Sequence, residues 1–214
     1  YREEVQPRTD IISDFSSSMT APDDVKARAA IALAGLLMEA AFKAGMSVAW
    51  HGFGAGWNRI FGSSNSFPGC EIPGFAGAGA LEDELAARAA GLSFRGLRYC
   101  ISDFLWQASP ETVMRRVIEG ASAAVFVNVL SAEEMDPPEY GPVSLIDSEQ
   151  GGKLDLKIGP GEKKVYMDNL GTHFDLWKDA AVSYGAFFCQ VKAEDILAED
   201  TSALVQSGIL EYAS

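Results

Sequence analysis

A carboxylate and three hydroxyls follow a short apolar run near the start of this 214-residue chain. The segment "DIISDFSSSM" covers residues 10–19 and places Asp14, Ser16, Ser17 and Ser18 directly after that run. Ser16 and Ser18 are two residues apart, so both hydroxyls fall on the same side of the loop. Carboxylate and hydroxyl oxygens are hard ligands, which Mg²⁺ and Mn²⁺ prefer. The alternative is a polar turn, because Asp and Ser side chains also accept hydrogen bonds from nearby backbone N–H groups.

A second aspartate, Asp103, ends the strand-like segment "LRYCISDF". If the strands before Asp14 and Asp103 are neighbours in a parallel sheet, both carboxylates lie at the sheet edge where ligands of α/β proteins bind. We expect Asp14, Ser16, Ser18 and Asp103 to hold Mg²⁺ or Mn²⁺ weakly. Water would complete the octahedron, and one position would stay open to an acidic group of a partner protein. The alternative role for Asp103 is to cap the turn that follows it.

Aromatic side chains come directly after this second aspartate. If the loop rims the site, Phe104 and Trp106 are candidate partner-binding residues, since buried aromatic anchors dominate interface energies. The alternative is that they pack in the core beneath the loop. The two histidines, His51 and His173, are interpreted as structural residues and not as bases.

Strand-like and helix-like segments alternate along most of the chain. The predicted strands are "TDIISDF", "MSVAWHGF", "WNRIF", "LRYCISDF", "SAAVFVNVL" and "AFFCQVK". Helical spacing of apolar residues predicts helices from Pro22 to Gly45, over "ALEDELAARAAG", "SPETVMRRVIEG" and residues 161–184, and finally over "EDILAEDTSALVQSG". This alternation predicts an α/β fold, with a central, mostly parallel sheet and helices on both faces. The "GAG" turn predicts one antiparallel edge strand, and a Gly-Gly pair predicts an extra hairpin near residues 141–158.

The net charge of the chain excludes two classes of partner. Acidic residues outnumber basic ones 30 to 17, giving a formal charge of −13. Nucleic-acid binding requires a basic surface, and an anionic membrane surface would repel this chain. The longest apolar run, 29–38, is too short to span a bilayer. The widely separated Cys70, Cys100 and Cys189 indicate buried thiols of a reducing compartment, so we expect a cytoplasmic protein.

Sequence signatures of several enzyme classes are missing. The chain has no G-x-S-x-G, no H-E-x-x-H, no G-x-x-x-x-G-K-[ST] and no complete G-x-G-x-x-G. We therefore expect no enzymatic activity and name no catalytic residue. An aspartate after the first strand together with Mg²⁺ is also a mark of phosphoryl transfer. A Mg²⁺-dependent phosphohydrolase with Asp14 as nucleophile is therefore an alternative, although Ser16 stands where such enzymes usually carry a second acid.

The quoted motifs carry a resemblance to a known family. "DFSSSM" resembles the D-x-S-x-S signature of von Willebrand factor A domains, which have an integrin-I-like, Rossmann-like fold, and "CISDF" resembles their strand-end aspartate. Together with "GPVSLIDSEQGGKL", these segments resemble a bacterial domain of unknown function, number fifty-eight, over about residues 1–195. The resemblance implies a metal-ion-dependent adhesion site at Asp14, Ser16, Ser18 and Asp103. It also implies an adaptor or chaperone partner of a MoxR-type AAA+ ATPase.

The chain departs from the von Willebrand A pattern at one ligand. Such domains supply a threonine from the loop before the third helix, where this sequence has Gly77, Ala78 and Gly79. A hydroxyl could come instead from one of the serines of the preceding loop, Ser63, Ser64 or Ser66. The departure leaves open a third reading, a structural module with a decayed metal site. We expect one domain over residues 1–214, cut from a longer chain.

Overall fold

The central sheet has six strands, all parallel except one at the edge. The computed structural model describes residues 7–63, 71–79, 81, 83–84, 91–106, 108–138, 141–146 and 153–211. The strands of this sheet are β1 (Arg8–Asp14), β2 (Ser47–Phe53), β3 (Asn58–Ser63), β4 (Leu97–Ser102), β5 (Ala123–Leu130) and β8 (Phe187–Lys192). Two further strands, β6 (Gly141–Ile146) and β7 (Lys153–Ile158), form a separate pair. The sheet order is β3-β2-β1-β4-β5-β8, and only β3 runs antiparallel to its neighbour. The predicted Rossmann-like fold class is confirmed.

Helices cover both faces of this sheet, as predicted. They are α1 (Val25–Lys43), α2 (Pro110–Ile118), α3 (Ala132–Met135), α4 (Pro160–Tyr184), α5 (Ala193–Leu197) and α6 (Ser202–Gln206), with a 3₁₀ turn at Ser17–Thr20. Along β5, Val125 and Val127 point into the core layer under α1, α5 and α6. Ala124 and Phe126 point into the layer under α2 and α4. This alternation follows from the two-residue period of a strand that is buried on both faces.

Helix-terminal residues act largely as the sequence indicated. Gly45, just past the end of α1, has the left-handed φ of 74° that favours glycine. The Ser109 hydroxyl accepts from Thr112 N–H, and Pro110 is the first residue of α2. These caps fix where α1 and α2 begin or end, and therefore where the adjoining strand ends lie.

The prediction of a single C-terminal helix over "EDILAEDTSALVQSG" is wrong. The segment forms two short helices, α5 and α6, with a break between them. Glu199 in the break has a left-handed φ of 62°, which a continuing helix cannot contain. The Asp200 carboxylate then accepts from Ser202 N–H at 2.9 Å, so local side-chain bonding starts a new helix. The spacing of the apolar residues carries no information about this local bonding, so it predicts one continuous helix.

Several smaller predictions can be compared with the described residues. The extra hairpin is confirmed as β6 paired antiparallel with β7. Cys100 and Cys189 are buried and free, as predicted, whereas Cys70 and most of "ALEDELAARAAG" lie outside the described residues. His51 is buried in β2 and stacks on Trp57 with ring centroids 5.1 Å apart. Among the described helices, none is long and apolar enough to cross a membrane.

Candidate functional site

The strands β1 and β4 end side by side at the carboxyl edge of the sheet. Ser13 pairs with Ile101 in the parallel register, so Asp14 and Ser102 come next on the two strands. The Ser102 hydroxyl donates to Asp14 Oδ2 at 2.5 Å. Asp103 follows directly, and its charge acts on the Asp14 carboxyl. The two predicted aspartates therefore lie at one edge, because β1 and β4 are neighbours.

The loop after β1 brings the two predicted serine hydroxyls together. Ser16 N–H donates to Asp14 Oδ1 at 2.8 Å, and the Ser16 and Ser18 hydroxyls are hydrogen-bonded to each other with their Oγ atoms 2.9 Å apart. The buried Phe15 fixes this loop, because its N–H donates to Phe53 O at 2.9 Å. Asp14 and Ser16 are buried, whereas Ser18 is partly exposed. The group of oxygens therefore approaches solvent at Ser18.

Contacts expected of the capping alternative are present as well. The Ser16 N–H bond to Asp14 is the local bond of an Asx turn, and Leu105 N–H donates to Asp103 Oδ1 at 3.2 Å. A carboxylate oxygen has two lone pairs, so one backbone bond leaves each oxygen able to accept another partner. Capping and cation binding are therefore compatible at both aspartates.

The position of the missing threonine is filled by backbone alone. Gly77 forms an isolated parallel bridge with Ser16, and Ser17 N–H donates to Gly77 O at 2.9 Å. A Cβ at Gly77 would meet the carbonyl carbon of Gly54 at 2.0 Å. No side chain fits there without moving the backbone, so this position cannot carry a hydroxyl. Of the other candidates, Ser64, Ser66 and the side chain of Ser63 lie outside the described residues.

A buried lysine that the sequence reading did not single out contacts the second aspartate. Lys26, in the first turn of α1, is 1% exposed. Its Nζ donates to Asp103 Oδ2 at 3.0 Å and to Glu134 Oε1 at 2.6 Å. Glu134 is held by the capping box of α3, where its Oε2 accepts from Ser131 N–H at 2.9 Å. An ammonium group therefore bridges two carboxylates at this end of the sheet.

Burial and charge set the protonation of these groups. Burial, and next the charge of Asp103, raise the pKa of the Asp14 carboxyl to about 7, against hydrogen bonds from Ser102 and Ser16 that lower it. For Lys26, burial alone would lower the pKa, but the carboxylates of Asp103 and Glu134 outweigh it and the pKa ends above its ordinary value. Lys26 is therefore a fixed positive charge, whereas no basic side chain in the described part of the chain pairs with Asp14.

Phe104 is not the exposed partner anchor that the sequence reading proposed. It is fully buried, and its ring packs 4.6 Å from that of Trp177. The core alternative applies to it, because a left-handed φ of 52° turns its side chain back under the loop. Trp106 is partly buried and packs edge-on against Phe53 at 5.5 Å. Leu105 between them is 37% exposed and is the more accessible apolar side chain of this loop.

Side chains from two further elements hold the backbone around Asp103. Asn128 of β5 donates to Asp103 O at 2.6 Å. His173 Nε2 of α4 lies 2.7 Å from Phe104 O, which agrees with a structural role for this histidine. The strand-end aspartate is therefore placed by the core of the fold and not by the loop alone.

The predicted ligands satisfy one geometric condition for Mg²⁺. Adjacent ligands of an octahedral Mg²⁺, each ~2.0–2.1 Å from the ion, lie ~2.9 Å apart. The Ser16 and Ser18 Oγ atoms, which are hydrogen-bonded to each other in this structure, also have this spacing, with Asp14 beside them. Within the described residues, no group of three or more His, Cys, Asp or Glu side chains could hold a metal. An ion here would depend on the serine hydroxyls, Asp14 and water.

Three residues of this site escaped the sequence reading: Lys26, Ser102 and Glu134. The sequence does contain an indication of Lys26. It lies at helical spacing from the buried Ala30 and Leu33, and a lysine on a buried face needs a partner. The sequence indication of Glu134 is weaker: Ser131 and Glu134 form the S-x-x-E pattern of a capping box. Nothing in the sequence indicates that the two side chains meet.

No protein-family model and no curated protein matches the chain. Among solved structures, it is similar to the conserved hypothetical protein BatB from Bacteroides thetaiotaomicron, with 10% identity over 95% of this chain and 100% of that chain, at a TM-score of 0.46. It is also similar to a von Willebrand factor type A structure from Catenulispora acidiphila, with 13% identity over 94% of this chain and 42% of that chain, at a TM-score of 0.43.

A third similar structure is the ArnB paralog VWA2 from Sulfolobus acidocaldarius, with 8% identity over 95% of this chain and 81% of that chain, at a TM-score of 0.41. Identities and TM-scores this low carry no conclusion about function. The fold class rests on the strand order, the antiparallel edge strand and the two helical layers described above.

Proposed function

We propose that this chain is a non-enzymatic protein-binding module that presents a weakly held Mg²⁺ or Mn²⁺ to an acidic group of a partner protein. The observation that carries this proposal is the pair of hydroxyls on Ser16 and Ser18, 2.9 Å apart and adjacent to the buried carboxyl of Asp14. Asp14 and the two serines would hold the ion, and Asp103 would hold a water bound to it.

The electrostatics of Asp14 support a cation at this position. Two carboxyl groups lie close together out of water, and the pKa of one of them rises to about 7 as a result. A nearby cation favours the ionised form of a carboxyl and offsets this cost. The ion would supply the positive charge that draws in a carboxylate of the partner.

The partner suggested by the family resemblance is a MoxR-type AAA+ ATPase, which would make this chain an adaptor or a chaperone partner in the cytoplasm. The formal charge of −13 would repel an acidic partner at long range. A bound divalent cation would offset the two net negative charges that Asp14, Asp103, Glu134 and Lys26 carry together at the binding edge, which is consistent with a metal-dependent contact.

Capture of a co-expressed MoxR-type ATPase tests the proposal. We expect tagged wild-type chain to retain the ATPase in millimolar Mg²⁺ and to release it in EDTA. Asp14→Ala and Ser16→Ala should lose it in both buffers. Glu39→Ala is the matched control, because it removes one exposed carboxylate near the far end of α1 and should retain the ATPase. Capture that is unaffected by EDTA and by both site variants would contradict the metal bridge.

The phosphohydrolase alternative has less support. Asp14 is fully buried, and both of its carboxylate oxygens accept hydrogen bonds, from Ser16 N–H and from the Ser102 hydroxyl. An oxygen that attacks phosphorus would have to give up such a bond, and Ser16 stands where such enzymes usually carry a second acid. Turnover of p-nitrophenyl phosphate in Mg²⁺ that is lost in Asp14→Asn would favour this alternative. A structural module with a decayed site predicts neither turnover nor a response to metal.

A further inference from the structure

Lys26 occupies an unusual position for a positive charge. It lies in the first turn of α1, where the positive end of the helix dipole disfavours cations. Its side chain is 2% exposed, so it also forgoes hydration. Among the described residues, the contacts that offset these costs are those with Asp103 and Glu134, at 3.0 and 2.6 Å. A lysine at this place therefore needs both carboxylates to stabilise its charge, and both carboxylates are already paired with the Lys26 ammonium.

We propose that Lys26 is a built-in counter-cation that weakens the hold of Asp103 on a metal-bound water, and that it thereby sets the metal affinity of this edge low. Lys26 is a positioning residue, because it acts through Asp103 and not on the partner. The proposal rests on the metal site of the proposed function and adds what limits that site.

The charges explain how the lysine would act on a metal. Asp14, Asp103 and Glu134 carry three formal negative charges when ionised, and Lys26 neutralises one of them. Asp103 Oδ2 is committed to the ammonium and Oδ1 accepts from Leu105 N–H, which lowers its capacity to accept from a metal-bound water. The ammonium also repels a second cation nearby. Removing Lys26 would free Asp103 and lift this repulsion together.

The double variant K26M/E134Q isolates this effect. It removes one positive and one negative charge, so the net charge of the protein is unchanged. The glutamine still offers an oxygen to Ser131 N–H, and the methionine fills the volume of the lysine stem. Because residue 134 is then an uncharged glutamine, Asp103 is the one carboxylate of the pair that loses its cation. It is therefore expected to fold even if the single variant Lys26→Met does not.

The measurement is the dissociation constant for Mn²⁺, determined from free Mn²⁺ by electron paramagnetic resonance. Wild type, K26M/E134Q, Lys26→Arg and Asp14→Ala would be titrated in parallel. The matched control is Lys43→Met/Glu39→Gln, which removes the exposed pair of α1 at 2.7 Å with the same charge change. We expect K26M/E134Q to bind Mn²⁺ at least tenfold more tightly than wild type. Lys26→Arg and the control pair should stay within threefold of wild type.

The outcomes separate this inference from the proposed function. Equal affinity in wild type and K26M/E134Q, both abolished by Asp14→Ala in the same background, overturns the role of Lys26 and leaves the metal site in place. Binding only in K26M/E134Q supports the lysine as the excluding cation and contradicts a metal in the wild-type protein. Absence of Mn²⁺ binding in both proteins up to 10-millimolar concentration, with native circular dichroism spectra, overturns both proposals.

Discussion

At the scale of single residues, the carboxyl of Asp14 has the least favourable electrostatic surroundings of the site. Burial and the charge of Asp103 raise its pKa to about 7 from an ordinary value of 3.8. In the unfolded chain the same group titrates near its ordinary value. The stability contributed by the protonated group is therefore fully present below about pH 4, and it is lost as the pH rises through about 7.

This shift predicts the effect of Asp14→Asn. In EDTA at pH 8, the variant should be more stable than wild type by about 1–3 kcal/mol. A pKa shift of this size corresponds to a change of at most about 4 kcal/mol in the free energy of unfolding. The gain is smaller than this bound because the amide no longer accepts the hydrogen bond from Ser102. At pH 5 most of this advantage should be lost, since Asp14 is then protonated in the folded wild type, and the remainder of the pKa-linked difference should disappear only below about pH 4. Urea unfolding at both pH values measures the difference in free energy of unfolding between the variant and wild type. Glu39→Gln, an exposed acid, serves as control, and a stability difference that does not change with pH would contradict the account.

The sequence was informative about the residues that follow one another and silent about those that meet through the fold. Asp14, Ser16 and Ser18 form a local pattern, and Asp103 is a strand-end residue, so all four could be named in advance. Lys26 and Glu134 are 108 residues apart, and their contact depends on how α1 and α3 lie over the sheet edge. For Phe104 the sequence left two alternatives open, and the buried one applies, together with a left-handed backbone conformation that the sequence does not show.

At the scale of elements, the candidate site depends on a close approach of two glycine backbones. Gly77 N–H donates to Phe15 O at 3.2 Å, and Gly79 N–H donates to Gly54 O at 2.8 Å. The segment 71–79 is thereby held against both the serine loop and the end of β2. This approach is possible because Gly77 carries no Cβ, and a Cβ at Gly54 would in turn meet Ser16 N of the serine loop at 2.7 Å.

Gly77→Ala should destabilise the protein by about 2–3 kcal/mol, because the new methyl group would overlap the Gly54 backbone and force it to move. Gly74→Ala is the matched control in the same segment. A Cβ there has no neighbour within 4 Å, so its stability should stay within about 0.5 kcal/mol of wild type. Chemical denaturation measures both variants, and equal stabilities would show that the glycine contact does not constrain this segment.

The break between α5 and α6 gives a second prediction at this scale. Glu199 has a φ of 62°, which costs a residue with a Cβ about 1 kcal/mol. Glu199→Gly should therefore stabilise the protein by about 0.5–1 kcal/mol, whereas Glu199→Ala keeps the strain and should not. Thermal unfolding of the two variants compares them directly. A glycine variant that is no more stable than the alanine variant would mean that the strain is absent.

Most elements could be predicted because their signals are local. Apolar runs bounded by Gly, Ser and Pro identified every strand of the sheet, and helical spacing identified α1, α2 and α4. The division of the final helix could not be predicted in this way. Apolar spacing continues across Glu199 and Thr201, and the competing hydrogen bond from Ser202 N–H to the Asp200 carboxylate depends on geometry that the sequence does not show.

At the scale of the whole molecule, the fold places one group of buried charges at the carboxyl edge of the sheet, apart from the buried Asp10 and Arg98 pair nearer the start of β1 and β4. The two layers of the core are formed by opposite faces of the same strands. The carboxyl ends of β1 and β4 then bring together Asp14, Asp103 and the serine loop, and the start of α1 adds Lys26. An edge built this way can serve a cation-dependent contact without any change in the sheet.

The central claim is tested most directly by thermal unfolding of wild type and Asp14→Ala, first in EDTA and then with increasing Mg²⁺ and Mn²⁺. An ion that binds only the folded state adds about 2.7 kcal/mol at one hundred times its Kd, which raises the Tm of a domain of this size by about 5–10 °C. We predict a saturable rise in wild type and none in Asp14→Ala. No rise in wild type up to millimolar metal, or equal rises in both proteins, would contradict the metal-bearing site.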